Sequence, residues 1–512
     1  MSLSATFNPA PSLDRLADVD VTVSRTVPPG TGAVGVPVGT KGTVPRSLGL
    51  DRATLAAVGF EGQLGQTLVV PRTGGTVMVA VGVGDAGQLT TALLRDAAAA
   101  FGRATSTHAA VATSLVDAGG IDADAAAQAV VEGVLLARYR YGVLKKDAAM
   151  APLERLALVT PAAKAERATT GARRGVVLAR SASLARDLAN TPPGHLTASR
   201  LAELAVTVGE ASGLTVEVFD AADLRDMGCG GLLGVNAGSQ EPPRLVKLSY
   251  RPKRARGHLA MVGKGVMYDS GGISLKPTDP MHAAMKMDMS GAAAVLSSMA
   301  ALAELGCRAD VTGYLLCTDN MPSGSAMKLG DVLTVHGGTT VEVHNTDAEG
   351  RLLLADGLAL AAEETPDAIV DIATLTGACL VALGPGVAGV LGNEQTWVEQ
   401  VTAAATRTDE PVWQLPLEKR RYRKLLDSDI ADVKNVGGPY GGAITAAVFL
   451  SEFVGDVPWA HLDIAGPMKV DADEAWRSKG ATGFGTRLLV DLAMSFTPPA
   501  ATNGDGANRT ST

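Results

Sequence analysis

The sequence predicts an α/β protein built on a mixed, largely parallel sheet. Three observations carry that expectation. Short apolar runs alternate with Ala-rich stretches at helical spacing, as strands and helices do when each strand is followed by a crossover helix. Apolar residues make up 46% of the chain while aromatics supply only 4%, with Gly at 59 positions, a composition suited to small-residue helices packed closely on a buried sheet. The charged clusters fall just beyond the carboxyl ends of predicted strands, where open α/β sheets place their sites.

At 512 residues the chain exceeds one ordinary core, so two domains are expected. In the first, residues 1–180, stretches 19–23 and 76–82 read as strands and 90–105 and 125–140 as helices. A connecting helix over about 172–189 meets Asn190-Thr191-Pro192-Pro193-Gly194, where two prolines and a glycine forbid its continuation. Alternation resumes in the second domain, residues 181–496, with strands at 259–262, 311–316, 340–344, 368–372 and 460–464. The tail, 497–512, is rich in Pro, Ala, Asn, Gly and Thr, has nothing with which to form a core, and is expected to be disordered.

A net charge of −8 argues against general nucleic-acid binding, which needs a concentrated cationic face. The basic run from Lys419 to Lys424 is the local exception and reads as a solvated helix face. Cys229, Cys307, Cys317 and Cys379 are widely spaced, without a CxxC pair or histidines at zinc-finger spacing, so they read as reduced and buried. No leader-like segment and no run of about eighteen apolar residues occurs, so no membrane association and a cytoplasmic location are expected.

Two clusters hold the material for chemistry. Asn345-Thr346-Asp347-Ala348-Glu349-Gly350-Arg351-Leu352 crowds two carboxylates and a guanidinium into a turn between strand and helix. Upstream, Lys264 and Asp269-Ser270-Gly271-Gly272 are followed by Lys276 and by Asp288 on the next predicted helix. Carboxylate oxygens suit Mg²⁺ and Mn²⁺, and Zn²⁺ accepts them, so Asp269, Asp288, Asp347 and Glu349 are candidates to hold two ions through shared bridges. Gly350 would relieve crowding where the backbone bends into the helix.

Each residue also has a structural explanation. Asp347 can cap the following helix with Glu349 in its acidic first turn. Lys264, read at the end of an apolar strand, can pair with Asp269 or Asp288; Lys276 can be a surface lysine before Pro277, and Asp288 a solvated helix residue. Lysine binds a metal only as the neutral amine, so a ligand role requires the ion to displace a proton.

Other motifs are weaker. Gly30-Thr-Gly-Ala-Val-Gly35 fits a dinucleotide fingerprint in letters alone, because Val-Pro-Val-Gly follows where a helix should start. Gly82-Val-Gly-Asp-Ala-Gly87 is better placed but lacks the acidic residue about twenty positions on. No GxxxxGKS/T, HExxH or GxSxG occurs, and Ser270 has no histidine nearby in sequence.

On these residues the chain resembles the leucyl aminopeptidase family, the two-metal cytosol aminopeptidases. The resemblance runs from about residue 186 to 492 through Val262-Gly-Lys-Gly265, Asp269-Ser-Gly-Gly272, Met285-Lys-Met-Asp288, the Asn345–Leu352 signature, Ala373-Thr-Leu-Thr-Gly377, Gly441-Gly-Ala-Ile-Thr-Ala-Ala447 and Trp459-Ala-His-Leu-Asp-Ile-Ala-Gly466. It implies a macro-like amino-terminal domain, a catalytic α/β domain, a homohexamer and short peptides as substrates, Leu-like first residues preferred. It further implies two divalent ions per subunit, Mn or Zn and possibly Mg. Asp269 and Glu349 would bridge them, Asp347 would complete one site, and Lys264 with Asp288 the other.

The same resemblance implies a bicarbonate at Arg351 as general base and assistance from Lys276 at the scissile carbonyl. The Leu375 N–H would bind the same oxygen, and Met285, Asn345, Ala348, Thr374 and Gly377 would surround the first side chain. Two ions about 3.5–4 Å apart can share and acidify one water while gripping the substrate amine and carbonyl. Two departures stand out: Met267 where the family often has Thr, and Asp319-Asn320 where Glu-Asn is common. The rival from another class is a non-catalytic nucleotide- or ADP-ribose-binding module on the first domain, with the carboxylates serving only as structure. A DNA-binding aminopeptidase is a third, poorly matched to the acidic charge balance.

Overall fold

A computed structural model of the chain describes residues 7–146 and 152–499. Two large sheets organise them, beside a three-stranded sheet of Val332–Thr334, Thr340–Glu342 and Val433–Lys434 and a two-stranded one. The first has six strands in the order Asp20–Ser24, Arg155–Val159, Ala110–Thr113, Ala33–Val38, Val77–Gly82, Thr67–Pro71. The first five are parallel to one another, and only the edge strand Thr67–Pro71 runs antiparallel to its neighbour. That edge alternates exposed and half-buried residues, whereas Val77–Gly82 beside it is almost wholly buried, as a strand covered on both faces must be.

Helices Thr91–Ala104 and Ala123–Ala137 cover one face of this sheet, and a smaller apolar cluster around Leu48, Leu55 and Phe60 covers the other. The connecting helix is longer than the sequence reading allowed, running Ala162–Asn190. Pro161 stands at its N-cap, so it starts two turns earlier than the buried stretch alone indicates. Its carboxyl end falls at Asn190, with Thr191 extended before Pro192, as expected. Gly171 and Gly175 let this helix press on Ala123–Ala137: a Cβ at Gly171 would lie 1.9 Å from the Asp124 carbonyl oxygen.

The second sheet has eight strands in the order Val412–Gln414, Ala388–Gly392, Trp459–Asp463, Ala368–Ala373, His258–Asp269, Asp310–Asn320, Arg244–Tyr250, Thr215–Phe219. The four central strands, Trp459–Asp463 to Asp310–Asn320, are mutually parallel, and antiparallel pairings begin outside them. Helices Ser290–Met299 and Thr486–Met494 pack on one face, Gly350–Glu363 and Gly442–Leu450 on the other, each sealing its own apolar cluster. Asp269, Asn320, Thr374 and Asp463 therefore all arrive at one end of the sheet, the carboxyl end of its parallel core.

Between the sheets, the segment after Val470 carries Trp476 into the apolar cluster of the first sheet. Arg487 lies 4.2 Å from the Trp476 ring centroid, and Arg103 donates to the carbonyls of Ala475 and Arg477. Glu132, fully buried on Ala123–Ala137, receives Arg95 and Arg487 at 2.8 Å each.

The four cysteines are free and buried. The basic run forms the short helix Lys419–Tyr422 and a following turn, with Lys419, Arg421 and Arg423 paired to Glu418, Asp427 and Glu452. Among the described residues no helix is long and apolar enough to cross a membrane. Of the tail, Thr497 exchanges two hydrogen bonds with Gln400; residues 500–512 lie outside the described part.

Candidate metal centre

Lys264 does not end its strand, as the sequence reading had it, but lies inside the twelve-residue strand His258–Asp269, opposite Leu316 of the neighbour. It is 2% exposed. An ammonium in that position requires anions, and it has them: Asp288 at 2.8 Å and Glu349 at 2.7 Å, with the Thr374 carbonyl accepting at 3.0 Å. Gly350 makes the space. A Cβ there would meet Lys264 Cε at 2.7 Å and Nζ at 2.8 Å, so the glycine clears a path for the lysine rather than easing a backbone bend.

Asp288 is not on a helix but caps the turn Ala284–Met287, just ahead of helix Ser290–Met299. It is 4% exposed and accepts from the Thr374 hydroxyl at 2.6 Å, which removes the solvated-helix alternative. Asp347 does not cap the helix that follows it. The helix Gly350–Glu363 has Glu349 at its N-cap position with no side-chain cap bond, leaving Glu349 for Lys264 and Asp347 for Lys276. Lys276 is no free surface lysine, since its Nζ lies 2.8 Å from Asp269 and 2.5 Å from Asp347.

Oxygens of Asp269, Asp347 and Glu349 all lie within 4.8 Å of one another. With Asp288 reached through Lys264, four carboxylates converge on two ammonium groups. Burial, then the neighbouring Asp269, raises the carboxyl pKa of Asp347 and Glu349. Asp288 is raised well above its usual range by burial and by Glu349 and Asp269, against the pull of Lys264. Burial alone would depress the lysines, but Asp288 and Glu349 hold Lys264 protonated, and Asp269 and Glu349 hold Lys276 so. The set carries surplus negative charge, and hard divalent cations are the partners that oxygen donors so crowded would satisfy. The donor set fits such ions.

The turns are held by polar residues that the sequence reading did not single out. Asn320, 1% exposed, donates to Asp269 Oδ1 at 2.8 Å and to the Thr346 carbonyl at 3.0 Å, tying the two acidic segments together. Thr346 in turn donates to the Gly271 carbonyl. Gly271 and Gly272 both have positive φ, and a Cβ at Gly271 would sit 2.8 Å from Asp347 Oδ1. Asn320 was visible only as half of the departing Asp319-Asn320 pair. Asn435 had no signal at all, because nothing in the stretch around it marks chemistry.

The expected substrate residues are scattered in environment. Met285 and Thr374 are buried, Asn345, Ala348 and Leu375 half-buried, and Gly377 exposed as the first residue of helix Gly377–Leu383. Asn345 Oδ1 accepts from the Asp347 N–H at 2.9 Å, and Thr374 is bonded to Asp288 and Lys264 as described. The Leu375 N–H, expected at the scissile oxygen, donates instead to Asp463 Oδ1 at 3.2 Å. Asp463 also takes the Thr376 hydroxyl at 2.6 Å, fixing that turn. Arg351 is buried, its pKa lowered by burial to about 10, and its Nη1 donates to the Asn435 carbonyl at 2.8 Å. Among the described residues its Nε has no hydrogen-bond partner.

Comparison with known proteins identifies the family of the chain. The model of the cytosol aminopeptidase family catalytic domain matches residues 183–490, and that of the family's N-terminal domain matches 49–148. A probable cytosol aminopeptidase of Streptomyces avermitilis is 42% identical over 90% of this chain and 94% of its own. One from Chlorobaculum tepidum is 48% identical over 72% of this chain and 75% of its own. Among solved structures, the bottromycin maturation enzyme BotP in complex with Mn superposes with a TM-score of 0.83 at 38% identity, over 91% of this chain and 99% of that one. A mutant tomato leucine aminopeptidase gives 0.83 at 30% identity, over 93% and 96%. This chain belongs to the cytosol aminopeptidase family, metal-dependent hydrolases that remove amino-terminal residues.

Proposed function

We propose that this chain removes the first residue from short peptides, with Leu and similar apolar residues preferred, and that it does so as a homohexamer carrying two divalent ions per subunit. The carrying observation is the convergence of Asp269, Asp347 and Glu349 oxygens within 4.8 Å, flanked by Lys264 and Lys276. Asp269, Asp347, Glu349 and Asp288 would hold the ions, Mn or Zn and possibly Mg, with Lys264 joining only by giving up a proton. When bound, the ions would supply Lewis acidity and an acidified water as nucleophile.

The chain's own groups do the rest. Lys276 is the more accessible ammonium, 18% exposed against 3% for Lys264, so it is the cation able to meet a substrate carbonyl as negative charge grows there. Lys264, sealed beneath Gly350, sets the charge and position of Asp288 and Glu349. Arg351, whose buried Nε has no partner among the described residues, is suited to an anion, and bicarbonate as general base is the reading taken from the family. Glu349→Ala should abolish hydrolysis of leucine amide while thermal unfolding shows an intact fold, and chelation should silence the wild type. Retained turnover by that variant refutes the proposed bridge. Tight calorimetric binding of ADP-ribose with no peptidase activity in Mn²⁺ would favour a nucleotide-binding module instead.

A further inference from the structure

We propose that Asn435 is a positioning residue for the metal centre: a buried amide that clamps the acidic turn 344–348 and aims Arg351 from the same point. This rests on the peptidase reading above. Asn435 follows the short strand Val433–Lys434, some ninety positions from the turn in sequence, and is fully buried. Its Oδ1 accepts from the backbone N–H of His344 at 2.8 Å and of Asn345 at 3.3 Å. Its Nδ2 donates to the Asn345 carbonyl at 2.7 Å and the Ala348 carbonyl at 3.3 Å. Its own carbonyl accepts from Arg351 Nη1, and its N–H donates to the Glu342 carbonyl at 3.0 Å.

Two acceptor contacts and two donor contacts exhaust what Asn offers in a buried place, and an apolar substitute would take the amide from the N–H groups of His344 and Asn345 and from the Ala348 carbonyl, leaving the Asn345 carbonyl only the Ala348 N–H at 3.3 Å. That turn carries Asp347, and Glu349 follows it directly. Among the described residues its loop has no strand partner at this point, because Thr340–Glu342 ends before His344 and the helix begins only at Gly350. Asn320 restrains the turn from the other side, at the Thr346 carbonyl. With Asn435 removed, the Ala348 carbonyl loses its amide donor, the Asn345 carbonyl keeps only the longer bond from the Ala348 N–H, and the carboxylates between and beyond them lose their fixed origin. Groups that orient ligands without touching the ion commonly tune metal affinity about 10–100-fold.

The test is calorimetric titration of the full chain with Mn²⁺ alone, alongside thermal unfolding and leucine amide hydrolysis. Asn435→Ala should bind Mn²⁺ about 10–100-fold more weakly. Its unfolding transition should stay cooperative, and its activity should climb back as Mn²⁺ is raised. Wild-type Mn²⁺ affinity in a folded Asn435→Ala overturns the role of Asn435, as does lost activity that no Mn²⁺ concentration restores. If Asn435→Ala does not fold, the isosteric Asn435→Asp decides. It keeps the two amide contacts but sets an anion against two carbonyls, so weakened Mn²⁺ binding supports the clamp and wild-type binding overturns it. A wild-type protein that neither binds Mn²⁺ nor cleaves leucine amide overturns the peptidase reading, and the clamp with it.

Discussion

Replacing Gly350 with Ala adds one methyl group directly over the lysine that ties Asp288 to Glu349. The new carbon would lie 2.7 Å from Lys264 Cε, 2.8 Å from Nζ and 2.9 Å from Cδ, so the lysine must retreat by about 0.7 Å to reach ordinary contact at 3.4 Å. Elsewhere a lysine tip would yield cheaply. Here Nζ is pinned between Asp288, Glu349 and the Thr374 carbonyl, all buried, and has no solvent into which to move. Overpacking of this kind costs about 1–3 kcal/mol, while Gly to Ala at a helix start returns at most about 1 kcal/mol. Stability should therefore fall only modestly. Activity should fall further, because displacement of about 1 Å at a reacting centre can cost about 100-fold. The assay is kcat/KM on leucine amide at saturating Mn²⁺, paired with denaturant unfolding. A Gly350→Ala enzyme with wild-type kcat/KM would refute the claim that this glycine exists to pass Lys264.

Trp476→Ala should destabilise the whole molecule by about 3–5 kcal/mol, since a buried Trp filling the first sheet's core and lying under Arg487 is lost. Denaturant unfolding checks it, and a loss below about 1 kcal/mol would show that the segment is not a tie between the sheets. Asp187, 1% exposed, has its carboxyl pushed up to about 7 by burial, although the Ser12 N–H donates to it. A raised folded pKa means that the native state holds the proton more tightly, so this group's contribution to stability declines as pH rises from about 4 to 7. Asp187→Asn should gain on the wild type across that window, by up to about 4 kcal/mol. Parallel unfolding curves at about pH 5 and pH 8 measure it, and a difference independent of pH would contradict the burial argument.

Much of the architecture was readable from the chain because it depends on local pattern. Strand 311–316 lies within Asp310–Asn320, and 368–372 lies within Ala368–Ala373. The double proline stopped the long helix where it should. What local pattern could not give was extent. Strand 259–262 continues to Asp269 because Gly263, Lys264 and Gly265 break the apolar run without leaving the sheet. The glycines there accept the close approach of helix Ser290–Met299 and the neighbouring strand, a fact of packing and not of propensity.

By itself the sequence determined the α/β class and, through its motifs, the family, and it singled out the carboxylates and lysines that the fold brings together, because those residue types crowd together where packing alone has no use for them. Only the tertiary structure decided that Lys264 pairs with Asp288 and Glu349 while Lys276 pairs with Asp269 and Asp347. It alone found Asn320 and Asn435, and turned the Leu375 N–H toward Asp463. The physical reason is that a hydrogen bond across ninety residues leaves no mark on either end of the sequence. A neutral amide becomes a structural group only when the fold buries it among backbone atoms that need a partner.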